Sequence, residues 1–353
     1  MGGAEVFTHE ILKRWAEAGH EITLFTSRFK DCREEEVSDG IRILRQGGRY
    51  SVYRKAKRLY DEFFSREGYD IVIDEINTRP FLTPKFIRGK ETIIALIHQL
   101  AREYWFYETP FPIDYLGYHF LEGRWLRNYR SIPTVTVSDS TRNDLVDLGF
   151  QKIYVVGEGL NFEPVEGMRK KADRPVVVYA GRLQKAKRPD HAVDAFKIVK
   201  RTVSNAELWV IGNGYFKDKL KDISSDDVKF FGSVPNRDRR NLIEEAWVLV
   251  NPSVREGFGL NVIEANALGV PSVAYDVPGL RDSIVNGETG LLARSGDVED
   301  LAQKILDVLT DRNLRINLSQ KALAHSKSYS WDKAADEFIK IVKFHRDLSA
   351  KAK

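Results

Sequence analysis

The sequence predicts an α/β protein built from two Rossmann-like halves, and three observations carry that reading. Short apolar, β-branched runs alternate with amphipathic helical ones along the chain, the pattern of parallel sheets with helical crossovers. Glycine turns follow several of these runs, as in YAGRL (179–183) and VIGNG (210–214). A polar, charged stretch with two prolines, NFEPVEGMRKKADRP (161–175), separates the two series and reads as a linker.

In the first half, the candidate strands are EITLFT (21–26), DIVID (70–74), TIIALI (92–97) and TVTV (134–137). The second half offers VVVYA (176–180), ELWVI (207–211), VKFF (228–231), WVLVN (247–251) and SVAY (272–275), with helical patterns at 190–201 and 239–246 between them. The end of the chain, 330–348, reads as one amphipathic helix with Ser330 as N-cap and Trp331, Ala335, Phe338, Ile341, Val342 and His345 near one face. These elements divide the chain into 1–160, a linker at 161–175, 176–329, and a terminal helix at 330–353. The opening is irregular. Gly2 and Gly3 lead into a helix, yet the strand that precedes such a turn in a doubly wound domain is missing. Either the sheet does without it or the true start lies upstream.

A chain of 353 residues can hold two cores of ordinary size. Its net charge of +4 is small for this length and its basic residues are dispersed, which argues against nucleic acid as partner. The single cysteine, Cys32, permits no internal disulfide and fits a reducing compartment. With no apolar run near twenty residues and no signal peptide, a cytoplasmic location is expected.

Chemistry concentrates in the turns of the second half. In REGFGLNVIEANALGVP (255–271), a loop at a strand's carboxyl end leads into a buried helix from about Leu260, which Gly269 and Pro271 end. Ligands bind at such strand ends in open α/β sheets, and a helix N-terminus offers free N–H groups to an anion. Glu256 falls in the loop and Glu264 more than one turn inside the helix. They are either a helix-dipole partner and half of an ion pair, or acceptors for sugar hydroxyls; spacing alone leaves both open. In YAGRLQKAKRPDHAVDAF (179–196), Arg182 and Lys187 stand in the turn before a helix, where cations can clamp a diphosphate or simply be solvated. Gly212 marks a third glycine turn.

Taken together, these stretches resemble the retaining, nucleotide-sugar-dependent glycosyltransferases of family 4, which have the GT-B fold. The most specific part is 256–292, with the family's Glu-x7-Glu signature as Glu256 and Glu264; GRLQKAK matches its Gly-Arg-Leu…Lys motif. The resemblance implies two Rossmann-like domains facing a cleft, with the C-terminal helix crossing back to the first. It implies that Glu256 meets hydroxyls of the donor sugar, Glu264 the ribose, and Arg182 and Lys187 the diphosphate. The amides of Phe258, Gly259 and Leu260 would approach sugar and phosphates, Gly2 and Gly3 would line the phosphate side, and Gly212 would lie in the donor site. His98, after TIIALI, matches a histidine that touches the sugar and helps activate the acceptor; a satisfied core histidine is the alternative. His20 reads as structural. The chain departs from the family in carrying Arg188 where a glycine follows the lysine, and Glu158-Gly159-Leu160-Asn161 near the junction.

The resemblance implies transfer of a hexosyl group from a UDP- or GDP-sugar to a hydroxyl of a glycan or lipid-linked glycan; no Asp-x-Asp occurs, so transfer is expected without a metal and with no cofactor. A nucleotide-sugar epimerase and a non-catalytic sugar-nucleotide binder stay open. The aromatic stretch 98–130 fits core packing or acceptor contact. The basic amphipathic run 49–67 fits a solvated helix face or a peripheral contact with the inner membrane face.

Overall fold

The computed structural model describes residues 2–351, which form two compact units. Unit 1 takes the chain up to Ala101, Leu116–Gly159 and the residues from Ser330 on; unit 2 takes Arg102–Tyr115 and Leu160–Tyr329.

Unit 1 contains two sheets. Strands β1 (Ile22–Thr26), β2 (Glu35–Ser38) and β3 (Ile41–Arg45) form one, in the order β1-β3-β2, with β2 antiparallel to β3. Strands β4 (Ile71–Glu75), β5 (Thr92–Leu96), β6 (Thr134–Thr136) and β7 (Ile153–Val155) form the other, all parallel and in sequence order. Among the described residues no strand joins them.

The helix Gly3–Glu17 buries Phe7, Ile11 and Trp15, spaced at four so that they share one face. They meet the C-terminal helix Trp331–Lys351: the Trp15 and Phe338 rings lie 5.0 Å apart, and the Trp15 indole donates to the Ala335 carbonyl at 3.0 Å. The expected face of that helix is buried at Trp331, Ala335, Phe338, Val342 and His345. The run 49–67 forms the helix Val52–Leu59, continued through Tyr60–Phe64. Val52, Ala56 and Tyr60 are buried, while the outer cations Lys57 and Arg58 pair with Asp61 and Glu62. Among the described residues no helix is long and apolar enough to cross a membrane.

Unit 2 is organised by one parallel sheet of β8 (Val176–Ala180), β9 (Glu207–Ile211), β10 (Val228–Gly232), β11 (Val248–Asn251), β12 (Ser272–Tyr275) and β13 (Gly290–Ala293). Its order is β10-β9-β8-β11-β12-β13. Val176, Val177, Val178, Leu249 and Val250 have no exposed surface, since helices cover both faces. Each such side chain contributes roughly 1.5–3 kcal/mol by burial.

Two assignments differ from the sequence reading. Residues 161–175, read as a linker, are fastened along unit 2: Val165 N–H donates to Ala267 O at 2.9 Å and Trp247 Nε1 to Ala172 O at 3.0 Å. Residues 102–115, placed by sequence in the first half, also belong to unit 2, because Glu108 accepts the Ala186 N–H at 2.9 Å.

Candidate active site

The strand order of unit 2 reverses between β8 and β11, so the loops leaving these strands emerge side by side at the switch point. Both carry the charged residues singled out by sequence. The Val254 N–H donates to Ala186 O at 3.0 Å and ties the loops together. Asn261 fastens them to the sheet, donating to Ala180 O at 2.9 Å while its carbonyl accepts from Asn251 at 3.1 Å.

Within this frame Lys187 Nζ lies 2.6 Å from Glu256 Oε2. The other Glu256 oxygen stands 2.8 Å from Ser253 Oγ, a hydroxyl that also lies 2.7 Å from Asn251 Oδ1. Burial alone would depress the Lys187 ammonium, but the Glu256 carboxylate outweighs it and pushes the group up to about 12. The lysine therefore stays charged at neutral pH. Tyr104 stacks its ring 5.5 Å from the ammonium, and burial pushes its phenol up, so that it remains a neutral donor to Arg255 O at 3.2 Å. Arg182 is exposed at the head of the same loop. Its carbonyl is held by the buried Tyr179 hydroxyl at 3.0 Å.

Gly259 caps the helix Leu260–Ala267 with φ +97°, a conformation glycine adopts without strain. The free N–H groups of the first turn thus stand beside the Glu256 loop. Phe258 is buried, its ring 5.6 Å from that of Tyr329. One turn in, Glu264 is paired with Arg239 at 2.6 Å. The ion-pair alternative for Glu264 is thus present in the structure, with a partner that spacing alone does not single out. Gly212, at φ +134°, packs directly on the clamp loop; a Cβ there would stand 1.9 Å from Gly181 O.

Unit 1 holds the remaining candidates. Gly2 is the extended N-cap of the opening helix, donating its N–H to Glu5 at 2.6 Å, and Gly3 is the first helical residue. His98 lies in the loop two residues beyond β5 and is buried. Neither ring nitrogen has a hydrogen-bond partner among the described residues. Glu75, at the end of β4, approaches Nε2 at 3.6 Å and accepts from Thr8 Oγ1 at 2.9 Å.

Sequence reasoning missed Glu75, Ser253, Tyr104, Glu103 and Glu108. Glu103 pairs with the buried Arg255 at 2.8 Å, and Glu108 reaches Tyr215 at 2.8 Å besides Ala186. Three of them lie in the aromatic stretch, where composition could not separate packing from a site. Among the described residues no three His, Cys, Asp or Glu side chains are arranged to hold a metal ion.

Sequence comparison fits this geometry. The family described as "Glycosyl transferases group 1" matches residues 165–325, and "Glycosyltransferase Family 4" matches 1–163. The chain belongs to glycosyltransferase family 4. This family 4 protein is 31% identical over 204 residues to the capsular polysaccharide biosynthesis glycosyltransferase CapM of Staphylococcus aureus, a match covering 51% of this chain and 53% of CapM. The chain spans about half the length of the curated relatives it matches. In structure it is similar to the sucrose-phosphate synthase of Thermosynechococcus elongatus, with a TM-score of 0.80, 20% identity, and coverage of 99% of this chain and 94% of that one. It is also similar to HepE of Anabaena, solved in complex with UDP-glucose, with a TM-score of 0.73, 16% identity and coverage of 97% and 96%. These likenesses establish the GT-B fold of the family 4 chain, with two Rossmann-like domains.

Proposed function

We propose that the protein transfers a hexosyl group from a UDP- or GDP-sugar to a hydroxyl of a glycan, free or lipid-linked, with retained anomeric configuration and without a metal ion. The observation that carries this is the Lys187–Glu256 pair, held at 2.6 Å at the switch point beside the Gly259-capped helix. The pair presents an acceptor for sugar hydroxyls and a permanent cation for phosphate together. HepE, a structural neighbour, binds UDP-glucose, which supports a nucleotide sugar as ligand.

In this reading Arg182, Lys187 and the helix amides stabilise the departing diphosphate as the bond from the anomeric carbon to its oxygen breaks. The acceptor oxygen bonds that carbon from the same face, and its proton passes to the leaving phosphate. Glu256 holds the sugar and Glu264 the ribose, with Arg239 at 2.6 Å fixing the Glu264 carboxylate in place. Positive side chains take the place of a divalent ion. For unit 1 the reading assigns His98, with Glu75 beside it, to the acceptor hydroxyl. A membrane contact falls to the outer face of 49–67, and the cytoplasm is the compartment where nucleotide sugars and the thiol of Cys32 fit together. Family membership sets the epimerase reading aside.

The test incubates the protein with UDP- and GDP-hexoses and glycan acceptors in excess EDTA and follows the product's anomeric proton by NMR. Transfer with retention is expected. Inverted product, or activity abolished by EDTA and restored by a divalent ion, would sink the mechanism.

A further inference from the structure

Arg188 has left-handed backbone, φ +47° and ψ +46°, between the turn Lys185–Lys187 and the helix Pro189–Thr202. That conformation favours glycine and costs energy in a residue with a side chain, so it persists only where the surroundings hold it. Here the side chain reaches partners on two sides. Nη1 donates to the Tyr107 hydroxyl at 2.8 Å, with the guanidinium 5.4 Å from the centre of that ring, and Nη2 lies against the His191 imidazole. Burial, with the Arg188 charge beside it, holds that imidazole below its ordinary range and so neutral. His191 Nδ1 is in turn 2.6 Å from the hydroxyl of Tyr275, a buried residue of β12. A continuous polar chain thus runs from the sheet of unit 2 out to Tyr107.

Tyr107 belongs to the short helix Tyr104–Glu108, whose N-cap is Glu103. Residues 103, 104, 107 and 108 fall on one face of that helix, and each of the four touches a loop of the candidate site. Glu103 pairs with the Arg255 guanidinium and the Tyr104 hydroxyl donates to the Arg255 carbonyl, one residue before Glu256. Tyr104 also covers the Lys187 ammonium, and Glu108 accepts the Ala186 N–H. The Ala186 carbonyl takes the Val254 N–H, so Ala186 is held from both sides immediately before Lys187. Tyr215 closes the ring, accepting the Lys185 N–H at 3.0 Å and donating to the second Glu108 oxygen at 2.8 Å. The helix is therefore a clasp across both loops, and Arg188 ties its far end to the sheet.

We propose that Arg188 is a positioning residue: by fastening Tyr107 it holds the helix Tyr104–Glu108 across the loops 182–188 and 253–256, and so fixes the Lys187 ammonium where a diphosphate binds. The inference rests on the reading of the Lys187 loop as a nucleotide-sugar site. Arg188 acts through Tyr107 and makes no contact of its own with the ligand. Its planar fork suits the task, because it donates in two directions at once, to the clasp and to the imidazole that leads to β12. Glycine at this position would relax the backbone and release the clasp. Strain and anchoring therefore act in opposite directions, and a substitution can tell them apart.

The test compares the unaltered protein with Arg188→Gly, Tyr107→Phe and the double variant. Amide hydrogen exchange is followed without ligand, and binding of UDP, GDP, uridine and guanosine by calorimetry. Exchange at Ala186 and Val254 is expected to speed up at least about threefold in Tyr107→Phe and more in Arg188→Gly, with β8 and β9 unchanged. The nucleotide that the unaltered protein binds should bind about 3- to 20-fold more weakly to either variant, and its nucleoside within about twofold. The double variant should match Arg188→Gly within about twofold, because both changes cut the same contact. Losses that add in the double variant would place Arg188 on the phosphates themselves and overturn the proposal. So would unchanged exchange in Tyr107→Phe, or a nucleoside weakened as much as its nucleotide, the mark of a loosened fold. If the unaltered protein binds neither nucleotide, the reading of the site fails, and exchange at Ala186 and Val254 alone decides whether Arg188 holds the clasp.

Discussion

Lys187 and Glu256 face each other at 2.6 Å although 69 residues separate them, because the loops that carry them leave adjacent strands where the sheet order reverses. Each is the other's nearest counter-charge, and both are largely withdrawn from water. Removing one therefore has two consequences, loss of its own contact with ligand and an unpaired charge left behind. Lys187→Ala is expected to weaken UDP or GDP binding about 10- to 100-fold in calorimetry, the worth of a charge-assisted hydrogen bond, while the free nucleoside binds as before. Equal weakening of nucleotide and nucleoside would remove the clamp assignment. Lys187→Met, which also strips the positive charge but keeps most of the stem, should lose the same nucleotide affinity.

His98 is buried with neither ring nitrogen hydrogen-bonded among the described residues and a carboxylate 3.6 Å from one of them. An imidazole left so in a protein interior costs stability unless something meets it. His98→Gln is expected to reduce the turnover number by about 10²–10⁴, the usual contribution of a positioned proton-handling group, and to leave nucleotide affinity within twofold. Glu75→Gln should lower turnover less, since it keeps the shape beside His98. Full turnover in His98→Gln would return that residue to the core.

The strands at the centre of unit 2 were legible almost to the residue. VVVYA, and ELWVI and SVAY after their first residues, are apolar throughout because both their faces are covered, and no long-range knowledge is needed to see them. Strand β2, EEVS, was not legible. It has no apolar run, yet Glu35 and Glu36 pair across the hairpin with Arg42 at 2.8 Å and Arg45 at 2.6 Å. A strand stabilised by its neighbour's charges carries no pattern of its own. The candidate site divides the same way. Arg182, Lys187 and Glu256 sit in turns that sequence can place. Tyr104 and Glu108 matter because folding brings them to a loop about 80 residues away, and Arg239 was one cation among many until it met Glu264.

Gly212 and Gly19 separate steric exclusion from backbone strain. Both have positive φ, +134° and +89°, but a Cβ at Gly19 meets nothing within 4 Å, whereas at Gly212 it stands 1.9 Å from a backbone oxygen. Gly19→Ala is expected to destabilise by about 1 kcal/mol, the strain alone. Gly212→Ala must also push the clamp loop away, so at least twice that loss is expected in urea unfolding, together with weakened nucleotide binding. If the two variants melt alike, the packing of the β9 turn on the Gly181 turn is looser than this geometry requires.

Lys171 sets a pH dependence of stability. Burial pulls its ammonium down to about 8, against the partial support of Glu244, while Nζ donates to Glu244 O at 2.9 Å and Gly269 O at 3.3 Å. An unfolded lysine titrates near 10.4, so between about 8 and 10.4 the unfolded chain binds more protons than the folded one. Stability from this group therefore rises with pH through that window, by at most about 3 kcal/mol, and is lowest below pH 8, where the charged amine is held out of water. Lys171→Met keeps the stem and removes the charge. The variant is expected to be the more stable protein at pH 7 and to lose its advantage toward pH 10. Melting curves of both proteins from pH 7 to 10.5 decide this, because other titrating groups shift both alike and cancel in the difference. A difference that stays flat across the window would show that the Lys171 amine is solvated in the folded chain.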